Sequence, residues 1–242
     1  MFWTDEGVLL AARRHGESGA IVSVFTARHG RHAGLVRGGF GRKARPVYQQ
    51  GNLLQVTWRA RLSEQLGALT GELKVPLAAR LMADPGRLAG LAAACALLET
   101  TLPERDPHPA LYATLCAFLE QLVQDPEWLE RYIRFELALL AELGFGLDLD
   151  RCAVTGTTEG LIYVSPASGR AVSRNGAGVY ADRLLALPPF LLGRAPADVG
   201  QLAAGLRLTG AFLRRHLFDA SERAMPEARD RLLARLARPS EP

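Results

Sequence analysis

The change of hydrophobic period near residue 76 constrains the fold of this chain more than any other feature. Across residues 4–74 the apolar residues alternate in short runs separated by Gly and other turn-forming residues, which is typical of β-strands. After residue 76 the apolar residues recur every three or four positions, as they do on one face of a helix. Strands followed by helices, rather than alternating with them, predict an α+β fold.

The strand-rich front contains five predicted strands in about 70 residues. That number suits a small closed Greek-key barrel of the OB-fold type, which commonly binds single-stranded nucleic acid. A small SH3-like barrel fits the same pattern, and the strands alone do not separate the two. The predicted strands span residues 7–14, 20–26, 31–36, 53–59 and 66–73.

The remainder is predicted to be a helical bundle interrupted by one irregular segment. Asp125 and Pro126 form a helix-start signal, since Asp caps a first turn and Pro fits into it. Frequent glycines in residues 148–181 predict a small β-ribbon inserted in the bundle. We therefore expect an OB-fold nucleic-acid-binding domain at residues 1–78 and a helical domain, with the ribbon, at 79–242. The predicted helices span residues 75–82, 85–101, 109–124, 127–143, 196–218 and 222–236.

Positive charge is concentrated in the strand-rich front. Residues 1–80 hold twelve Lys and Arg against five Asp and Glu, a net charge of +7, whereas the rest holds 17 against 20, a net charge of −3. Residues 18–63 contain no Asp or Glu at all. A basic front of this kind indicates a polyanionic partner, although charged loops are often only solvated surface.

The basic loop at residues 36–46 lies at the centre of this stretch and mixes glycines with cations. We expect it to be flexible, so that glycines let the backbone approach a phosphate chain while Arg supplies forked donors. Phe40 is expected to stack on a base, since a ring in a Gly-rich loop has little core to enter. Trp58, in contrast, is expected in the core. The predicted nucleic-acid-binding residues are Arg28, Arg31, Arg37, Phe40, Arg42, Lys43, Arg45, Arg59 and Arg61.

The cysteines predict neither a disulfide framework nor a metal site. Three are present, at positions 95, 116 and 152, and an odd, sparse set is not typical of a disulfide scaffold. Residues 152–155 have the spacing of a C-x-x-C knuckle, but Thr155 replaces the second Cys, and Ser165 and Ser173 stand where further thiolates could be. One thiolate does not hold zinc, so we expect no metal, no cofactor, and a packing role for Cys152.

No catalytic motif is present, which favours a protein that is not an enzyme. The chain lacks the H-E-x-x-H, G-x-S-x-G and G-x-x-x-x-G-K patterns. Residues 38–43 are rich in glycine but lack the Walker spacing, so a nucleotide-using enzyme is the weaker alternative. Without a signal-peptide pattern or an apolar stretch that could span a bilayer, we expect no membrane association and a cytoplasmic location.

Arg131 and Arg134 lie on the predicted helix at residues 127–143, beside several aromatic residues. Their default role is surface pairing with Glu127 or Glu130. The alternative is a basic rim around an apolar groove that binds the acidic tail of a partner.

Several segments in the same order resemble the RecO family of bacterial DNA repair and recombination mediators. The most specific is Arg-Phe-Glu-Leu-Ala-Leu-Leu-Ala-Glu-Leu-Gly-Phe at residues 134–145, which precedes the Cys152 region. The others are Gly7-Val8-Leu9-Leu10 with Arg14 to Gly19 behind it, Phe25-Thr26 before His29-Gly30, Leu35-Val36-Arg37-Gly38, Leu69 to Leu73, Cys152-Ala153-Val154-Thr155-Gly156 and Val164-Ser165-Pro166.

The resemblance implies an N-terminal OB-fold, a helical bundle and an inserted ribbon that in many relatives holds zinc. It further implies binding of single- and double-stranded DNA, strand annealing, recognition of the C-terminal tail of single-strand-binding protein (SSB) at Arg131 and Arg134, and loading of RecA together with RecR. A nucleoid-associated cytoplasmic location follows from the same resemblance. Three of the four zinc-ligand positions are not Cys here, which argues against a metal. An RNA-binding OB module remains the alternative function.

Overall fold

The computed structural model describes residues 1–62 and 65–236. Ser63, the last residue of the acid-free stretch, and the end of the predicted helical domain lie outside these ranges. The strands are β1 (Phe2–His15), β2 (Gly19–Thr26), β3 (Gly30–Val36), β4 (Leu53–Arg59), β5 (Ala68–Val75), β6 (Leu161–Val164), β7 (Ala171–Ser173) and β8 (Leu185–Ala186). The helices are α1 (Leu77–Arg80), α2 (Pro85–Thr101), α3 (Pro109–Gln124), α4 (Trp128–Glu142), α5 (Arg174–Ala177), α6 (Val199–Leu213) and α7 (Glu227–Leu236).

The chain divides into two compact units. The first consists of Met1–Asp125 with Pro226–Leu232, and the second is built around Pro126–Met225. The boundary expected after residue 78 follows the change from strands to helices, whereas the first unit extends further because α2 packs on β1 and α3 on β2. As a division into domains, 1–78 and 79–242 stays a prediction.

Strands β1–β5 form a closed barrel in the order β1-β2-β3-β5-β4. β1 pairs with β4 along its first half and with β2 along its second half, and its pairing with β2 shifts between Leu9 and Ala11. β3 and β5 run parallel and close the barrel where Leu35 pairs with Ala68. The predicted α+β class, with an OB-type barrel followed by helices and a small separate sheet, is confirmed.

The barrel interior is filled by the residues that alternate with exposed ones along each strand. On β4, Leu54, Val56 and Trp58 are buried, while the positions between them face outward. Trp58 is 2% exposed, as expected, and its indole N–H donates to the carbonyl oxygens of Ala33 and Leu66. A period-two pattern therefore fixes which face of the strand enters the core.

Several predicted boundaries are wrong because pairing partners are distant in sequence. β1 begins at Phe2 rather than at residue 7, since its first residues pair with β4, and the last barrel strand is shifted to Ala68–Val75. The N-cap residue of α4 is Glu127, whereas Asp125 was expected there. Asp125 is the C-cap of α3, and its backbone N–H donates to the carbonyl of Gln121.

The second unit combines α4, α6 and the ribbon. α4 packs on α6, and between them the fully buried carboxylate of Glu136 accepts a hydrogen bond from the Thr209 hydroxyl. α6 is capped by the Asp198 side chain and continues directly into a π-helix at Arg214–Phe218, so the predicted helix at residues 196–218 starts three residues later than expected and ends where expected. The ribbon is a three-stranded sheet in the order β7-β6-β8, so the predicted β-ribbon is present.

Substitution of Gly30 tests how tightly the β2–β3 hairpin is held. Gly30 has φ +64°, and a Cβ there would overlap the backbone carbonyl of Asp106. Gly16 has nearly the same φ, +62°, but a Cβ there meets nothing within 4 Å. We expect Gly16→Ala to lower the free energy of unfolding by about 1 kcal/mol, the strain of left-handed backbone, and Gly30→Ala to lower it by several-fold more. Urea unfolding of the full chain measures both, and equal losses would contradict the close approach of Gly30 to Asp106.

Candidate nucleic-acid interface

The basic loop between β3 and β4 is folded into consecutive turns. The backbone N–H groups of Ala44 and Arg45 donate to the carbonyl of Gly41, and the N–H of Tyr48 donates to the carbonyl of Ala44. The expectation of a flexible loop is therefore wrong. The glycines permit the turns instead of leaving the segment free.

Asn52 anchors the end of this loop. Its side chain is fully buried, and its amide donates to the carbonyls of Pro46 and Val47 at 2.9 and 3.0 Å. Its side-chain oxygen accepts from the backbone N–H of Ala78 at the start of α1. A buried amide with both ends satisfied holds the loop against the helix that follows the barrel.

Four cations on this loop project into solvent. Their side chains are exposed, and none of them forms an ion pair within the described residues. These loop cations are Arg37, Arg42, Lys43 and Arg45. Because hydrogen-bonded turns hold the backbone of the loop, these side chains extend from set positions rather than from a mobile chain.

Phe40 differs from its expected environment. Its ring is half-buried and packs against the barrel core. The loop approaches that core closely, since a Cβ on Gly39 would lie 2.7 Å from Cβ of Ala20. The premise that this ring has little core to enter is wrong, and its contact with DNA stays a prediction.

Arg31 is largely committed to contacts within the first unit. Its side chain is only 16% exposed, its Nε donates to the carbonyl of Leu102 at 2.8 Å, and its guanidinium pairs with Glu99 and Glu104. These acids lie outside the acid-free stretch, about 70 residues further along the chain. Arg31 is therefore the weakest of the predicted DNA contacts.

Arg28 is exposed but has a partner. Its guanidinium donates to Asp5 at 3.1 Å and to the carbonyl of Thr4. Asp5 is partly buried, which by itself raises its pKa, but hydrogen bonds from Arg28 and His29 outweigh burial and hold the pKa below its ordinary value. With 68% of the Arg28 side chain exposed, the pair is a surface ion pair of small net stability.

The strand register places four outward positions in one row across the barrel. Leu35 pairs with Ala68, Ala68 with Arg59, and Arg59 with Phe2. With neighbouring strands about 4.8 Å apart, this outer row is about 14 Å long. Arg37 follows Leu35 by two residues, so the loop cations begin beside the same row.

Strand directions nevertheless separate the exposed cations into two groups. The strand-end cations Arg28, Arg59 and Arg61 follow the ends of β2 and β4. Both strands run antiparallel to β1, so these residues lie at the end of the barrel where β1 starts. The loop cations connect the opposite strand ends. Arg37 is brought towards Arg59 only because β3 and β5 are offset along their length, so that Leu35 near the end of β3 pairs with Ala68 at the start of β5.

Phe2 is a feature of this surface that the sequence reasoning missed. It is 61% exposed, and the guanidinium carbon of Arg59 lies 4.9 Å from the centre of its ring. Such cation–π contacts are favourable, particularly for Arg. An aromatic residue at the start of an alternating strand was the available signal, but its pairing with Arg59 required the register.

Next to Phe2, aromatic side chains line a cavity of about 440 Å³ at the end of the barrel. Trp3 and His29 stack with ring centres 4.1 Å apart, and His32 lies edge-on to Trp3 and to Trp58. His32 is 5% exposed, and burial, followed by the charge of Arg105, lowers its pKa. The imidazole of His32 is therefore neutral near pH 7.

In the second unit, Arg131 and Arg134 are both half-buried on α4. The guanidinium of Arg134 donates to the backbone carbonyl of Phe190. This contact, rather than the default pairing with Glu127 or Glu130, positions Arg134. The role of the two arginines in binding a partner stays a prediction.

In the ribbon, hydrogen bonds surround the sulfur of Cys152. The thiol is 1% exposed and accepts from the backbone N–H of Ser173 at 3.2 Å, the Ser173 hydroxyl at 3.3 Å and the N–H of Thr155 at 3.4 Å. Burial by itself raises the pKa of this thiol, but the donors from Ser173 and Thr155 outweigh it and lower the pKa to about 6.

The residues around Cys152 do not fit zinc. They supply one thiol and two hydroxyls, and a Cβ on the neighbouring Gly176 would lie 2.8 Å from the sulfur. Ser173 contacts the sulfur as expected, whereas Ser165 belongs to the β6–β7 turn, where its carbonyl accepts from Gly169. Across residues 1–62 and 65–236, no group of three or more His, Cys, Asp and Glu side chains is placed to hold a metal ion.

The glycine-rich loop also lacks the context of a phosphate-binding P-loop. Such a loop leads from a strand into a helix whose N-terminus faces the phosphates. Here the element that follows Lys43 is the strand β4. Within the described part of the chain, no helix is both long enough and apolar enough to cross a bilayer.

Comparison with known proteins gives matches over both units. The model of the family Recombination protein O N terminal matches residues 1–75, and that of Recombination protein O C terminal matches residues 82–225.

Curated relatives are similar over nearly the full chain. A DNA repair protein RecO of Cereibacter sphaeroides (strain KD131 / KCTC 12085) is 55% identical over 241 residues, covering 98% of this chain and 99% of its own. One of Rhodospirillum centenum is 51% identical over 237 residues, covering 97% and 94%. One of Rhodospirillum rubrum is 49% identical over 243 residues, covering 98% and 96%.

The low pKa of Cys152 predicts a pH dependence of stability. Between about pH 6 and the ordinary thiol value of about 9, the unfolded chain binds a proton that the native chain does not. The contribution of this thiol to the free energy of unfolding therefore grows as the pH rises through that window, with a slope of at most about 1.4 kcal/mol per pH unit. The contribution is lost as the pH falls through about 6.

The measurement compares the free energy of unfolding of the wild type and of Cys152→Ser at the two ends of that window. The free energy of unfolding of the wild type should exceed that of the variant, and the difference should increase with pH. A difference in the free energy of unfolding that does not change with pH would show that the thiol stays protonated in the native ribbon.

Proposed function

The chain belongs to the RecO family of DNA repair proteins, and on that premise we propose that it binds single- and double-stranded DNA and anneals complementary strands. The observation that carries the proposal is the set of loop cations, which are exposed, free of ion pairs within the described residues and fixed by hydrogen-bonded turns. Fixed cations bind phosphates without losing the conformational entropy of a mobile loop.

Annealing on this surface is an electrostatic process. Two complementary strands repel each other through their phosphates, and a cationic surface that binds both lowers that barrier by releasing counterions. The two groups of cations on one barrel suit this task, since one strand can lie on the loop cations and the other on the strand-end cations. No bond is made or broken, so the protein acts as a mediator rather than an enzyme.

The partners of this mediator are proposed from the family. Arg131 and Arg134 on α4 offer positive charge to the acidic C-terminal tail of SSB, and the chain acts with RecR to load RecA onto SSB-coated DNA in the cytoplasm, at the nucleoid. Arg134 already donates to Phe190, so it acts in part by holding the shape of the site.

The loop cations are tested by a triple substitution, Arg42→Ala, Lys43→Ala and Arg45→Ala. We expect weaker binding of single-stranded DNA and slower annealing. The slope of log affinity against log salt concentration should fall by about 2, because each phosphate contact contributes about 0.7 for single strands.

The matched control removes three exposed arginines from the second unit: Arg151→Ala, Arg174→Ala and Arg183→Ala. This control lowers the net charge by three, as the loop variant does, and should leave the slope of log affinity against log salt concentration unchanged. Equal effects of the two triples would mean that net charge, and not the loop, governs binding. A strong preference for RNA over DNA of the same sequence would instead favour an RNA-binding module.

The partner site is tested with Arg131→Ala and the double variant Arg131→Ala, Arg134→Ala. We expect at least about a fivefold loss of affinity for an acidic peptide that ends in Phe, because a desolvated ion pair is lost. Arg207→Ala, an exposed cation on α6 of the same unit, is the control. Fluorescence anisotropy of a labelled peptide measures all three, and unchanged affinity in the double variant would exclude these arginines.

A further inference from the structure

We propose that the cavity beside Phe2 binds one unstacked base of single-stranded DNA, with the Phe2 ring as its stacking surface. This inference deepens the proposed function and rests on it, because it assigns the part of the barrel that distinguishes single strands from duplex. The cavity is lined by Met1, Phe2, Trp3, His29, His32, Trp58 and Arg105.

The chemistry of the cavity walls matches a base. Aromatic rings stack because their flat faces are poorly solvated by water. A nucleobase has two flat faces that are also poorly solvated, so it can stack on such a ring. Phe2 is 61% exposed although its neighbours Trp3 and Trp58 are half-buried and buried. Arg59 covers part of the Phe2 ring at 4.9 Å, and most of the ring surface remains open to solvent.

The charge around the cavity matches the backbone that carries the base. Arg59 lies beside Phe2 in the outer row, Arg61 follows Arg59 by two residues, and Arg105 lines the cavity itself. Arg105 is held in place, since its guanidinium donates to the carbonyl of Gln65 and its backbone has φ +64°. Cations around an aromatic surface are the arrangement used to bind single strands without sequence preference.

His32 supplies an independent observation at the same cavity. It is 95% buried, and neither of its ring nitrogens has a hydrogen-bond partner among the described residues. Native cores leave few polar groups in this state, and the exceptions often mark functional sites. A neutral imidazole offers one donor and one acceptor, the pair of functions that base edges also present.

A duplex cannot use this cavity, because its bases are stacked on each other and paired. Binding at Phe2 therefore favours the single-stranded form and leaves the loop cations to bind phosphates of either form. During annealing, a base held here would be released when its complement pairs with it, so the cavity would bind the substrate strand and not the product.

The experiment separates stacking from charge by pairing a protein variant with a DNA variant. Phe2→Ala and wild type are titrated with a labelled oligo(dT) and with an oligomer of equal length that carries abasic residues. We expect Phe2→Ala to weaken binding of oligo(dT) at least about fivefold and binding of the abasic oligomer by less than about twofold. The salt dependence should be the same for both proteins, because no cation is removed.

Two further variants control for side effects. Phe2→Trp retains a ring and should retain oligo(dT) affinity. Tyr180→Ala removes another exposed ring that has an arginine near it, Arg183 at 5.9 Å in the second unit, and should have no effect.

Equal weakening of both oligomers by Phe2→Ala, or none of either, overturns the base site while leaving salt-dependent DNA binding intact. Absence of salt-dependent binding in the wild type would instead overturn the proposed function. The two failures are therefore distinguishable within one set of titrations.

Discussion

The barrel closes where Leu35 of β3 pairs with Ala68 of β5, and the arrangement of the candidate surface depends on that pairing. Strands staggered in this way bring the end of one strand beside the start of another. Arg37 consequently lies towards Arg59, although 22 residues separate them in sequence. Without this parallel closure the loop cations and the strand-end cations would belong to unconnected ends of the barrel.

The environment of a residue was predicted well from the sequence where the interaction that determines it is local. Alternation along β4 placed Trp58 inside the barrel, and the absence of acids from residues 18–63 is matched by loop cations that are exposed and form no ion pair within the described residues. Both signals are properties of a short window. The change from a strand period to a helical one likewise fixed the α+β class.

Positions were predicted poorly where a distant residue decides the environment. Arg31 looked like its neighbours until Glu99 and Glu104 were placed beside it by the fold. Phe40 was assigned to solvent because its loop is rich in glycine, yet the loop folds against the core. Phe2 was overlooked because its partner, Arg59, lies at the far end of another strand. Register and loop packing are not encoded in any single window.

The sulfur of Cys152 has a consequence for the conditions under which the second unit can fold. Three hydrogen-bond donors from Thr155 and Ser173 contact this sulfur, whereas in a ribbon with four thiolates the sulfur would be a metal ligand. Folding of such a metal-bound ribbon is coupled to the concentration of free zinc. Here the hydrogen bonds to the sulfur come from the chain itself, so we expect this unit to fold without zinc and to be unaffected by chelators.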